Sequence, residues 1–408
     1  MAHMLHSFAL LYTILLPCSS GLKGHKSINS EEIKANQASS SSEYRERSAR
    51  NCFFPSLAAS GATEGGRSSE PLPRISGNFV LNHSTVAPYW SLSCPFEVKE
   101  YSCALSGKQH AQNAEQSRAL QFIPIENGHC SFDAFDGERF LRALGSRHLE
   151  FIGDSVTQQH FIATACRLLR WVDWRETNRF WLKSHVDISA SSCCQTEVAK
   201  RASDWGCRPR YLATMRGDSR RSNQTSCIFF RVPGPRDITV TRMCFRGPLT
   251  RRVAALYLRS RFGSNVVVVA SAGREYPDAY RATLRTMLSS INARGCRDRP
   301  FLLWREHVAE HTWDASSRRP HTRRSSSPCQ QSITRKSSSH TRVLIERQEL
   351  MGHHIPTLRT FDSSVMLGWA HVGDSCIFYC MPGLPDFWST LLHNALAQLS
   401  ANDWPCYE

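Results

Sequence analysis

The stretch His148 to Phe161, HLEFIGDSVTQQHF, places the strongest constraint on the fold. A short apolar run from His148 to Ile152 ends abruptly at Gly153-Asp154-Ser155. The residues that follow place Phe161, Ile162, Ala165, Leu168 and Leu169 near helical spacing. Gly153 supplies a sharp bend, so the pattern predicts a buried strand, a tight turn and a helix, with Ser155 at the handover. A hydroxyl there faces unpaired backbone N–H groups and the positive end of the helix dipole, which suits a nucleophile whose attack creates an oxyanion. Aspartate and serine are also the commonest helix caps, so the tripeptide alone reads first as a structural cap, and context has to favour the nucleophile.

The rest of the chain extends this unit into an α/β pattern. Asn265-Val-Val-Val-Val-Ala270 is a continuous β-branched run, as expected of a strand covered on both faces, and a helix is predicted from Pro277 to about Ala293. Phe301 to Trp304 repeats the strand signal. Cys227 to Val232 and Ile238 to Phe245 read as strands bent apart at Pro233-Gly-Pro235. Helices are expected at Phe135–Leu144, Val343–Met351 and Phe387–Leu399, with a last strand or extended run at Leu358–Met366. Strands alternating with helices predict a mostly parallel sheet, where ligands gather beyond the C-terminal strand ends.

Composition places this domain in an oxidising compartment. The segment 1–21 carries an apolar run of about ten residues followed by small residues, which reads as a secretory signal and is short of the roughly 20 residues that span a bilayer. Membrane attachment is expected only if this segment is retained as an anchor. Residues 22–74 are rich in Ser, Glu, Ala and Gly and read as a disordered stem. Aromatics and cysteines enter at Ile75, opening a cysteine-rich lobe over 75–135, and the main domain occupies 136–408 with an exposed, disordered basic insertion at 314–342. The chain has 16 cysteines, of which Cys18 lies in the signal; the rest show no recognised metal spacing and are expected to form disulfides whose pairing the sequence leaves open. Asn82-His-Ser and Asn223-Gln-Thr are glycosylation sequons. The net charge of +15 suits a polyanion; in a secreted chain an acidic polysaccharide fits better than nucleic acid, although a solvated basic surface would give the same number.

Three blocks carry a family resemblance. They are Gly77-Asn-Phe-Val80 with Cys94-Pro-Phe96 and Cys103; the run FDGERFLRALGSRHLEFIGDSVTQQHF; and Cys376-Ile-Phe-Tyr-Cys-Met-Pro-Gly-Leu-Pro-Asp-Phe-Trp388. From about Gly77 onward the chain resembles the trichome birefringence-like, or PC-esterase, family of polysaccharide O-acetyltransferases within the SGNH/GDSL esterase superfamily. The resemblance implies a three-layer α/β/α domain with a cysteine-rich N-terminal lobe, located in the Golgi lumen or outside the cell. It also implies an acyl-Ser155 intermediate, an acetyl donor such as acetyl-CoA as co-substrate, no bound cofactor or metal, and a polysaccharide hydroxyl as acceptor. Water as acceptor would make the same site an esterase.

The chain departs from the family pattern where a base is needed. A serine hydroxyl needs a histidine to take its proton and a carboxylate to orient that histidine. The family places Asp and His three apart, with the Asp just before the first closing cysteine. Here Ser375 and Phe378 stand at those positions, and phenylalanine accepts no proton. His371 with Asp374 is the preferred substitute pair; His307 or His311 is a second source, and retention of only a glycan groove is a third outcome. Around the oxyanion, Asp154 is expected to shape the turn, the Gly273 amide to donate beside that of Ser155, and Ser271 or Arg274 to stand in for the family's asparagine.

Overall fold

The computed structural model describes residues 77–84, 94–96, 101–104, 111–124, 132–177, 226–233, 238–249, 262–272, 277–293, 295, 298–313, 329–330, 338–351, 353, 355–372 and 376–400. The expected signal, the stem, Asn223, Gly273, Asp374 and most of the basic insertion lie outside these residues.

Six strands form the central sheet, in the order β10 (Thr357–Leu358), β7 (Phe301–Arg305), β6 (Val266–Ala270), β3 (His148–Ile152), β5 (Ile238–Phe245) and β4 (Ser226–Pro233). All neighbours run parallel except β4, which returns antiparallel along β5 as a hairpin. The predicted mostly parallel sheet is therefore present, with one antiparallel edge.

The two-residue alternation of the strands sorts side chains to two cores. Leu149 and Phe151 of β3, with Val267 and Val269 of β6, pack against helices α2 (Gly137–Leu144), α3 (Ser155–Arg167) and α7 (Leu384–Ser400). Val266, Val268 and Ala270 face the other side, together with Leu302 and Trp304 of β7. There they meet α4 (Pro277–Asn292) and α5 (Ser338–Met351) through Tyr280, Leu284, Met287, Leu288 and Ile345. Every residue of β6 is buried, as a strand covered on both faces requires. The result is an α/β/α arrangement consistent with an SGNH-like fold.

Three segments differ from expectation. The helix predicted from Val343 begins at Ser338, inside the basic run, and its Arg342 is buried because Glu310 Oε1 lies 2.9 Å from its Nη1. The described part of that run is thus folded: Cys329–Gln330 (β9) also pairs with Thr312–Trp313 (β8). Leu358–Met366 is not one extended run; it passes from β10 into a four-residue helix, α6 (Phe361–Ser364), whose Ser363 and Ser364 hydroxyls donate back to the Thr360 and Phe361 carbonyls.

The N-terminal lobe adds a hairpin, β1 (Gly77–Leu81) with β2 (Leu120–Pro124), and helix α1 (Ala111–Arg118). Phe79 and Phe122 lie 5.2 Å apart and both rings reach Phe387 of α7, at 5.1 and 4.5 Å. The eight described cysteines form four disulfides: Cys94–Cys166, Cys103–Cys380, Cys227–Cys244 and Cys329–Cys376. The first two tie the lobe to α3 and to the closing segment.

Candidate active site

The turn after β3 is built as its sequence predicts. Asp154 is the N-cap of α3, and its Oδ1 accepts from the amides of Val156 at 3.1 Å and Thr157 at 3.2 Å. Asp154 thus fills the capping role that competed for Ser155, and Ser155, first residue of the helix, is exposed. Gly153 is required by closeness rather than by backbone angle: a Cβ there would lie 2.1 Å from Thr157 Oγ1 and 3.0 Å from the Ser271 carbonyl oxygen. Ser271, at the end of β6, is therefore beside the turn. Its amide donates to the Ile152 carbonyl at 2.9 Å, and its buried hydroxyl donates to the Ala272 carbonyl at 3.4 Å.

A cation supports the turn from below. Arg305 is 1% exposed at the end of β7; its Nη2 donates to Thr157 Oγ1 at 2.9 Å and lies 3.8 Å from Asp154 Oδ1. Its guanidinium also sits 5.6 Å from the centre of the Trp388 ring. Burial pulls the Arg305 pKa down, and Asp154 is the first of the anions that oppose this. Beneath the same helix His160 is fully buried between Phe151 and Trp388, and burial, then Arg305, holds its pKa well below the ordinary histidine range. His160 is accordingly a neutral core residue.

Beyond β7 a buried carboxylate supports the next loop. The His307 amide donates to Glu346 Oε2 at 3.0 Å, Tyr280 donates to the other oxygen, and burial raises Glu346 to about 8. The His307 ring is buried. Its Nε2 lies 3.3 Å from Arg342 Nη1 and 3.5 Å from Glu310 Oε1; burial lowers its pKa, while Glu310 and Asp154 oppose that shift.

The closing segment lies along α3. Gln159 clamps it in both directions, its amide donating to the Tyr379 carbonyl and its Oε1 accepting from the Tyr379 amide at 3.2 Å. Tyr101 of the lobe completes the contact. Its hydroxyl donates to Gln158 Oε1 at 3.0 Å and lies 3.4 Å from the Ser155 carbonyl oxygen, while its ring meets Phe378 edge-on at 5.0 Å. Phe378, which stands at the family's histidine position, is thereby one residue removed from the Ser155 helix.

His371 is 2% exposed and pairs as an isolated bridge with Tyr379. Its Nδ1 lies 3.0 Å from the Phe378 carbonyl and its Nε2 lies 2.8 Å from His311 Nδ1. The described contacts thus join His371 to His311 rather than to Ser155. The structure brings Ser155, Asp154 and Ser271 together around the turn. Sequence reasoning missed Arg305, Tyr101 and Gln159; only Arg305 left a visible trace, as a charge continuing the apolar run FLLW.

A serine at the first turn of the helix after a central parallel strand is consistent with an SGNH-like α/β/α protein. No family model matches the chain. Over 106 residues it is 27% identical to Protein trichome birefringence-like 12 of Arabidopsis thaliana, covering 26% of this chain and 24% of that protein. Over 90 residues it is 23% identical to Xylan O-acetyltransferase 3 of Oryza sativa subsp. japonica, covering 22% of this chain and 18% of the relative. Xylan O-acetyltransferase 4 of the same rice matches at 23% over 90 residues, 17% of its length. The chain thus spans about a quarter or less of the length of these curated relatives, and within that span they bear out the resemblance to the trichome birefringence-like family.

Proposed function

We propose that this chain is an O-acetyltransferase that carries an acetyl group on Ser155 and passes it to a hydroxyl of a polysaccharide. The observation that carries this reading is that Asp154 caps α3 and leaves Ser155 exposed at the positive end of that helix. In the first half-reaction Ser155 Oγ attacks the donor's carbonyl carbon and loses its proton to a base. In this reading the tetrahedral oxyanion is held by the amides of Ser155 and Gly273, and Ser271 turns its hydroxyl from the Ala272 carbonyl toward it. The donor's leaving group departs with the proton. In the second half a sugar hydroxyl repeats the attack on acyl-Ser155 and restores the serine. The donor is an activated acetyl ester or thioester such as acetyl-CoA, used as co-substrate. Arg305 acts as a positioning residue, fixing Asp154 and Thr157 and hence the angle at which Ser155 leaves the turn.

For the base, the reading keeps His371 with Asp374 as its orienting carboxylate. His371 Nδ1 faces a carbonyl, so Nε2 is the nitrogen that would meet the serine proton, and its bond to His311 must open first. A second reading is favoured by Phe378 at the family's histidine position: a homologue that binds glycan without turnover. The two readings separate in one experiment. Incubation with an activated acetyl ester should place one acetyl group on Ser155, read by peptide mass, and Ser155→Ala should abolish it. Absence of label across acyl esters and thioesters, with glycan binding intact, would establish the second reading.

The disulfides support passage through an oxidising compartment, and we place the protein in the secretory pathway. Asn82 follows β1 in an exposed turn closed by the Ser84 amide, which donates to Asn82 Oδ1 at 3.1 Å. Expressed through that pathway, the chain should lose mass on glycosidase treatment, and Asn82→Gln should remove part of the loss. An unchanged mass would count against lumenal placement.

A further inference from the structure

The hydrogen bonds around His371 and His311 do not close with two neutral rings. His371 Nδ1 lies 3.0 Å from the Phe378 carbonyl oxygen, and His311 Nε2 lies 3.0 Å from the Val365 carbonyl oxygen. A carbonyl only accepts, so both outer nitrogens must carry protons. In two neutral imidazoles the inner nitrogens would then both present lone pairs, yet His371 Nε2 and His311 Nδ1 are 2.8 Å apart. One further proton converts that opposition into a charge-assisted N–H···N bond. Both rings are at least nine-tenths buried, at 2% and 5% exposure, so water is poorly placed to resolve the conflict instead.

We infer that His311 and His371 share a single additional proton, forming a buried cationic latch that fastens the closing segment to the loop after β7. The pair then holds three protons on four nitrogens. The latch joins two parts of the chain 60 residues apart, since His371 also holds the carbonyl of Phe378 and the ring of Phe378 meets Tyr101 over the Ser155 helix. The proton count rests on the bond geometry alone. One consequence rests on the acyl-transfer reading: while the shared proton is present, His371 Nε2 is occupied, and release of that proton frees it to act as a base. The latch would thus gate the same site by pH.

Titratable and charged groups on the elements around the pair have partners of their own. Tyr379 stacks on His371 at 4.2 Å, and its hydroxyl donates to the Ala309 carbonyl at 3.1 Å. Glu310 is paired with Arg342 at 2.9 Å and approaches His307 at 3.5 Å. On α6, Asp362 is paired with Arg347 at 2.9 Å. The Cys103–Cys380 and Cys329–Cys376 disulfides border the segment and do not titrate. Asp374, three residues from His371, lies outside the described residues. Burial lowers the pKa of His311, and its bond to the Val365 carbonyl opposes that shift. The shared bond acts in the opposite direction on the first added proton, and the two rings titrate as one unit.

The sign of the stability effect follows from proton counting. The latch requires that the native pair keep its shared proton above about pH 6.5, where unfolded histidines are mostly neutral, against the burial that lowers His311. The latch therefore contributes fully below that pH, and its contribution is lost as pH rises through the pair's own value.

The test is nitrogen NMR of the full chain with 15N-labelled histidine. At neutral pH the pair should show three N–H protons, two outer and one shared, and His311→Asn should remove the shared signal. The excess thermal stability of the parent over His311→Asn should shrink toward alkaline pH. Two neutral rings with one N–H each between pH 5 and 8 would overturn the inference, a result read on the parent even if the variant fails to fold. Loss of the shared signal in Asp374→Asn would also overturn it, because the carboxylate would then be the proton's holder. If Ser155 never takes a label, the acyl-transfer reading fails while the proton count still stands.

Discussion

Ser375→Asp combined with Phe378→His is expected to raise the rate of Ser155 acylation by about 10²–10⁴-fold, the usual contribution of a positioned acid–base group. Tyr101 bridges the Ser155 helix and the Phe378 ring, so an imidazole in place of that ring would lie one residue away from the start of α3. The aspartate three residues earlier would restore the orienting carboxylate in the family's spacing. The measurement is the burst of product from a chromogenic acetyl ester in a single turnover, with far-UV circular dichroism to verify the fold. Adding Ser155→Ala to the double variant should return the trace to background. A folded double variant with no gain would show that the closing segment does not present position 378 to the serine.

Replacing Cys103 and Cys380 by serine should cost roughly 3–5 kcal/mol of stability, toward the upper end of what a disulfide contributes. The bond spans 277 residues, and other cross-links shorten the loop it closes. Urea denaturation of the variant beside a Cys227→Ser, Cys244→Ser control gives the comparison. The control bond closes only 17 residues across the β4–β5 hairpin, where the strands are already paired in register, and should matter less. The Cys103 and Cys380 sulfurs both lie near the His371 carbonyl, at 3.7 and 3.6 Å, so the loss should also loosen the histidine pair. Equal effects from the two variants would mean that the closing segment is held without its covalent tie.

Periodicity along the chain made the core of the fold legible. The β-branched run of β6 and the apolar run of β7 announced buried parallel strands, and the bend at Gly153 announced the turn that presents Ser155. What escaped was long-range chemistry. Arg342 reads as one more cation in a serine-rich loop until Glu310, 32 positions away, comes within 2.9 Å and makes its burial tolerable. Tyr101 carries no local signal of its bond to Gln158, 57 residues on. His371 looked available as a base because the sequence cannot show that His311, 60 residues earlier, holds its Nε2. Hydrophobic spacing is written locally, whereas polar partners are chosen after the chain has folded back on itself.

The position of Tyr101 bears on how such a chain can be re-engineered. The Met381 amide donates to the Tyr101 carbonyl at 3.0 Å, so a residue of the cysteine-rich lobe lies between the serine's helix and the C-terminal motif. Trimming the chain to its sheet and helices would remove the contact between Tyr101 and the first turn of the serine's helix. A chimaera that exchanged only the lobe would alter what packs against the Ser155 helix while leaving every residue of the turn unchanged. Lobe and sheet are therefore one inheritable unit, and the surroundings of the serine can diverge through residues that lie far from its turn in the chain.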